Sequence, residues 1–160
     1  MKIMVLSDTH IPRVAHDLPA TVYDEIKNVD MIIHAGDFVE RSVFEKLKSL
    51  KELKAVQGNM DCQSIKDELK TKEVVEIGKF KIGIIHGHGT KKDLMDTVRG
   101  EFGKVDAIVF GHSHEALSIV KDGVLFLNPG SPTDNIFAAY NSYGIIEIDG
   151  KKIEGKIVKI

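Results

Sequence analysis

Apolar residues fall along this chain in short runs that stop abruptly at polar turns. Residues 2–7 and 30–35 are each a compact apolar stretch ending in a turn, the pattern of a strand buried on both faces. Between them Pro19 opens a helix through Lys27, giving about the thirty residues that a β-α-β crossover needs. Residues 41–50 repeat the helical spacing, with Ser42 and Glu45 placed as a capping box, and residues 53–56 follow as a third strand.

The rhythm then changes. Residues 74–77 and 80–85 flank Gly78-Lys79, a two-residue hairpin connection. Thr90 and Asp93 form a second capping-box pair, opening a helix that Gly100 or Gly103 ends. A strand over 107–110 comes next. Strands 116–121 and 124–128 are joined at Asp122-Gly123, and strands 144–148 and 152–158 around Asp149-Gly150. This is β-α-β-α-β with a largely antiparallel tail. It predicts an α/β fold (α+β mixed) in which two stacked β-sheets are flanked by helices. With no repeat, linker or low-complexity tract, residues 1–160 read as a single domain.

Charge narrows the partners. Lys+Arg 22 against Asp+Glu 24 leaves a net charge of -2, which gives no global pull toward an anionic membrane, and the absence of a basic stripe argues against long nucleic acid. The single cysteine, Cys62, excludes an intramolecular disulfide and fits a reducing compartment. The apolar start stops at Ser7-Asp8, too short for a signal segment or a membrane span, so a soluble, cytoplasmic protein is expected.

The chemistry is concentrated in the turns. Asp8-Thr9-His10, Gly36-Asp37, Gly58-Asn59, His86 and Gly111-His112-Ser113-His114 each stand at or near the carboxyl end of an expected strand. Open α/β sheets build their sites at that edge, where these distant positions can meet. Asp8, His10, Asp37, Asn59, His86, His112 and His114 all carry side chains that bind divalent transition metals, and they are more than one ion needs. A two-metal hydrolytic centre is the expectation.

These motifs, in this order, closely resemble the pattern D-x-H, G-D, G-N-x-[DE], H, G-H-x-H of the calcineurin-like metallophosphoesterase superfamily. More narrowly they resemble its small phosphodiesterase branch, which also contains the retromer subunit of the same fold. Asn128-Pro129-Gly130-Ser131 is similar to that branch's Asn-Pro-Gly turn. The resemblance implies a four-layer fold, a β-sandwich with helices outside. It also implies that Asp8, His10 and His114 hold one ion, Asn59, His86 and His112 hold the other, and Asp37 bridges them. The cofactors implied are two divalent transition metal ions, Mn first, with Ni, Fe, Co or Zn as alternatives. A metal-bridged hydroxide would then attack a small or nucleotide-like phosphodiester, with Asn59 also donating to the phosphate.

Met60 departs from the superfamily pattern, because many members carry there a histidine thought to protonate the leaving group. A thioether cannot do so, which leaves His88, in the glycine-rich turn after His86, as the expected proton donor and substrate contact. Arg13 is a candidate phosphate contact, against a solvated loop arginine.

Other residues keep two readings each. His34 is a hydrogen-bonded core histidine or orients a ligand, and His16 is a surface residue. Asp61 holds Asn59 or caps a short helix near Ser64, and Cys62 is inert. Residues 128–131 line the cleft or form a purely local turn. Ile136, Phe137, Tyr140 and Tyr143 mark a homo-oligomer contact or pack in the core. The rival to the phosphodiesterase is a metal-binding protein-interaction scaffold resembling the retromer subunit. A monoesterase or nuclease differs from the favoured reading only in substrate.

Overall fold

The first half of the chain builds three parallel strands, β1 (Lys2–Leu6), β2 (Met31–His34) and β3 (Glu52–Ala55), through the crossover helices α1 (Ala20–Ile26) and α2 (Arg41–Leu50). The structure, a computed structural model, describes residues 1–160. After the short helix α3 (Gln63–Glu68) come the hairpin β4 (Lys72–Ile77) and β5 (Phe80–Ile85), helix α4 (Leu94–Gly100) and strand β6 (Ala107–Val109). Two further hairpins follow, β7 (Leu117–Lys121) with β8 (Val124–Asn128), and β9 (Ser142–Ile148) with β10 (Ile153–Lys159). At the β7–β8 turn both Asp122 (φ 51°) and Gly123 (φ 77°) are left-handed, the conformation a two-residue hairpin of type I′ demands.

Two five-stranded sheets result, ordered β10-β9-β1-β2-β3 and β4-β5-β6-β8-β7. Alternation along each strand explains why they stack. Ile3 and Val5 of β1 face Ile82, Ile84, Val109 and Leu127 of the other sheet, while Met4 and Leu6 turn outward onto α1 and α2. On the far side Ile85, Ile108 and Phe126 meet Leu94 and Val98 of α4. The order of layers is therefore helix, sheet, sheet, helix, and burial on both faces accounts for strands that read as unbroken apolar runs.

Two details differ from expectation. The second half is largely antiparallel, as expected, through the β4–β5, β7–β8 and β9–β10 hairpins, but its sheet is mixed. β5 pairs with β6 and β6 with β8 in parallel, and only the last hairpin crosses back to lie antiparallel against β1. Neither capping box forms. α2 follows Glu40 with no side-chain cap, because Ser42 is already inside the helix; α4 starts after Asp93, whose N–H goes to the Thr90 carbonyl at 3.2 Å while the Thr90 hydroxyl donates to the Asp93 carboxylate at 2.8 Å. The gain for the site is the shared direction of β1, β2, β3, β5 and β6, whose carboxyl ends open onto one edge of the sandwich.

Candidate metal centre

Each loop leaving that edge is tied to its neighbours before any side chain is considered. Asp8 N–H donates to the Gly36 carbonyl at 3.0 Å, and Gly111 N–H donates to the His86 carbonyl at 3.0 Å. Two bonds cross between sheets: His112 N–H donates to Asp8 Oδ2 at 3.0 Å, and His86 Nδ1 lies 2.8 Å from the Ala35 carbonyl. Asp8, His10, Asp37, His112 and His114 all have positive φ, between 43° and 69°. Non-glycine residues adopt that region at a cost, and strain gathered at one place is what the packing of a functional site maintains. The approach is close enough to need glycine. A Cβ at Gly58 would overlap the Asp37 side chain and backbone nitrogen, and one at Gly111 would meet Asp8 Oδ2 at 2.7 Å.

Five of the seven expected ligands come together in two groups that share Asp8. One holds Asp8, His10 and His114; the other holds Asp8, Asp37 and His86. Asp8 Oδ1 lies 3.8 Å from His10 Nε2, 3.9 Å from His86 Nε2 and 3.3 Å from His114 Nε2. Asp37 Oδ2 also reaches both ways, 3.5 Å to His10 Nε2 and 3.3 Å to His86 Nε2, while its Oδ1 accepts from Met60 N–H at 2.7 Å. Atoms bound at about 2.0–2.2 Å to one tetrahedral ion lie roughly 3.4 Å apart, so these separations fit ligands arranged around a cation.

The remaining two flank the groups. His112 sets its ring edge against His86, 5.3 Å between centroids, with its Nε2 3.3 Å from the Gly89 carbonyl. Asn59 is exposed on the rim. A cleft of about 440 Å³ contains His10, Asp37, Asn59, His112 and His114, with Arg13 on its wall. His88 is exposed in an adjoining cleft, beyond Asn59, with Gln57 and Lys66. Clefts of similar size occur elsewhere, so volume does not single this one out. Its polar atoms do. Asp8 Oδ1, His10 Nε2 and His86 Nε2 are buried here without a hydrogen-bond partner. Orphaned buried polar atoms are costly, and three converging on one point fit a bound cation that satisfies them all.

The second nitrogens of two rings are already assigned. His86 gives Nδ1–H to the Ala35 carbonyl, and His114 gives Nδ1–H to the Asp134 carboxylate. That leaves each Nε2 as the electron-pair donor, the tautomer a metal ligand needs. Protons occupy the place of cations in the metal-free chain. Burial pushes the Asp8 carboxyl up, but His10, His114 and His86 around it hold it well below the usual carboxylate range. Burial likewise opposes charge on His86, yet the Asp37 carboxylate and the Asp8 charge raise it to about 9; His114, against burial, is raised to about 9 by Asp8 and Asp134.

Several supporting residues become clear only in three dimensions. His34 stacks on Phe38 with 3.6 Å between centroids, accepts Gly36 N–H at Nδ1 and so offers Nε2–H to the Thr9 hydroxyl at 3.3 Å. Burial lowers it to about 3, keeping it neutral; it ties the first motif to the second. Asp61 neither holds the Asn59 side chain nor caps α3: its carboxylate accepts N–H groups from Asp37, Val39 and Gly58. Residues 128–131 do not line the cleft. Asn128 and Ser131 are buried behind it, bonding the Gly111 and Asp8 carbonyls at 2.9 and 2.7 Å. Sequence reasoning missed Asp134, because an aspartate in a Ser-Pro-Thr-Asp stretch is ordinary turn chemistry.

The calcineurin-like phosphoesterase superfamily domain matches residues 1–151. The chain belongs to that superfamily. It is a family of phosphoesterases, and the ligand groups above agree with a metal-using phosphoesterase. A probable metallophosphoesterase of Methanocaldococcus jannaschii is 41% identical over 138 residues, covering 83% of this chain and 69% of the relative. A phosphodiesterase of the same organism is 31% identical over 144 residues, covering 81% of this chain and 83% of its own length. Among solved structures, wild-type Vps29 from Entamoeba histolytica complexed with Zn²⁺ superposes with a TM-score of 0.77 at 25% identity, covering 99% of each chain. The two-sheet, helix-flanked architecture is that of the metallophosphoesterase fold, as the resemblance implied. No helix is long and apolar enough to cross a membrane.

Proposed function

We propose that this metallophosphoesterase is a dinuclear, metal-dependent phosphodiesterase acting on small or nucleotide-like phosphodiesters. The observation that carries the reading is the trio of orphaned buried atoms, Asp8 Oδ1, His10 Nε2 and His86 Nε2, the two ring nitrogens lying 3.8 and 3.9 Å from the carboxylate oxygen. Asp8, His10 and His114 are assigned to one ion, Asn59, His86 and His112 to the other, and Asp37 to both. When bound, such a pair supplies Lewis acidity and an activated water for in-line attack at phosphorus. Mn²⁺ is the ion proposed first, with Ni²⁺, Fe²⁺, Co²⁺ and Zn²⁺ as alternatives; the relative with Zn²⁺ in its structure supports the ligand chemistry.

The chain's own residues do the rest. Asn59 offers its amide oxygen to an ion and its N–H to the phosphate. The Arg13 guanidinium, exposed on the cleft wall, binds the anion. Met60 cannot protonate a leaving group, so His88 is assigned that step from across Asn59. The M. jannaschii phosphodiesterase supports a diester as substrate.

Purified without chelator, the protein should carry close to two transition ions per chain and turn over bis-p-nitrophenyl phosphate faster than the monoester. Asp37→Ala and His112→Ala should remove that turnover. The likeness to Vps29 favours a second reading, a metal-binding interaction scaffold. A folded, metal-loaded wild type inert toward every diester would decide for it.

A further inference from the structure

The wall of the ligand cleft is polar except for Val14, Met60 and Phe137. Phe137 is the unusual one. The residue is 70% exposed, beside Ile136 at 75%, yet its backbone is fixed. Phe137 N–H lies 3.2 Å from both Asp134 oxygens, and Ile136 N–H donates to Asp134 Oδ1 at 2.7 Å. The same carboxylate takes the Nδ1 proton of His114. One buried group therefore sets both the imidazole at the bottom of the cleft and the aromatic ring at its rim. The two rings stand edge to face, centroids 6.1 Å apart and planes at 83°.

A scattered exposed apolar side chain needs no explanation. A phenyl ring held at a set distance from a phosphate-binding centre is different, because a phosphodiester has a second arm that must lie somewhere. We infer that Phe137, with Met60 and Val14, is the specificity-determining surface of the cleft, and that it stacks a flat aryl or nucleobase arm of the diester. The inference rests on the phosphodiesterase reading and deepens it by naming the class of substrate. The phosphate is anchored among the ligands and Arg13, and a sugar can bridge from there to the ring. A cleft of about 440 Å³ suits a ligand of mononucleotide size. The Met60 thioether adds a polarizable contact to an aromatic edge. Ring stacking is tolerant of which base is presented, so the surface selects for flatness and not for base identity.

Two measurements separate this inference from the one it rests on. The first compares diesters with the same p-nitrophenolate leaving group and a methyl, phenyl or 5′-thymidine second arm. In Phe137→Ala the ratio of kcat/KM for the phenyl and thymidine arms over the methyl arm should fall about tenfold, chiefly through KM, and Phe137→Tyr should restore it. An unchanged ratio overturns the inference while leaving the phosphodiesterase intact. The second does not depend on turnover. The chain has no tryptophan, so F137W introduces a single indole. Its fluorescence in the metal-loaded protein should respond to thymidine 5′-monophosphate and not to methyl phosphate. A signal that follows protein concentration and ignores the nucleotide would make residues 136 and 137 a self-association surface and overturn the inference. Absence of turnover on all three diesters, with the indole still responding to nucleotide, would refute the phosphodiesterase and retain the stacking surface.

Discussion

Asp134 accepts the Nδ1 proton of His114, which turns Nε2 of the same ring toward Asp8 Oδ1 at 3.3 Å. Asp134 is only 1% exposed and is held by the N–H groups of Ile136 and Phe137. A rigid carboxylate behind an imidazole fixes the ring and its tautomer, and it makes the outward nitrogen a better electron-pair donor.

Asp134→Asn tests this directly. The amide keeps one oxygen for the Ile136 N–H, so the loop should persist, but the negative charge behind His114 is lost. Metal affinity is expected to fall roughly 10- to 100-fold, and activity should return at high metal concentration. Competition against a chelator gives the affinity. Wild-type affinity in the variant would show that Asp134 only shapes the loop.

The contrast between Asp8 and Asp134 shows what the sequence could convey. Asp8 follows a dense apolar run and sits two residues before a histidine, so strand-end logic and chemistry both marked it. Strand boundaries were readable for the same reason, since burial on both faces of β1, β2, β6 and β8 leaves continuous apolar runs. Sheet membership was not. Whether β9 and β10 extend the second sheet or return to β1 depends on long-range packing, which local periodicity does not carry. Asp61 and Asp134 were obscure because their partners are N–H groups on other loops, and a short polar residue in a turn looks the same whether it serves its own backbone or a distant one.

Asp61 leads to a second prediction. Its carboxylate receives Gly58 N–H at 2.7 Å, Val39 N–H at 2.8 Å and Asp37 N–H at 3.1 Å, joining the loops after β2 and β3. Burial and the neighbouring Asp37 charge raise its pKa, while those N–H groups pull it down without winning. Asp61→Asn relieves the buried charge but replaces one acceptor oxygen with a donor, which then faces an N–H. The balance should be a loss of about 1–3 kcal/mol, since a buried amide left unpaired costs that much. The urea midpoint of chelator-treated protein reports it, and a variant as stable as wild type would mean that the charge penalty cancels the lost bond.

The response of the metal-free protein to pH follows from the two histidines. His86 and His114 are both raised from 6.5 to about 9 by the carboxylates facing them, against the opposing effect of burial. A raised folded pKa gives stability that is complete below the unfolded value near 6.5 and is lost as pH rises through about 9. Asp8 and Asp37 are shifted the other way: burial opposes their charge, but the surrounding histidines lower both, so their contribution holds above about 3.8 and fades as pH falls. Chelator-treated protein should therefore melt highest between about pH 4 and 6.5 and progressively lower up to pH 9.5. Bound ions take the Nε2 lone pairs of both rings, so the metal-loaded protein should not share the alkaline decline. Metal uptake at pH 7.5 should then release about two protons, one from each histidine. Isothermal titration in two buffers of different ionisation enthalpy counts them. Uptake without proton release would remove His86 and His114 from the ligand set.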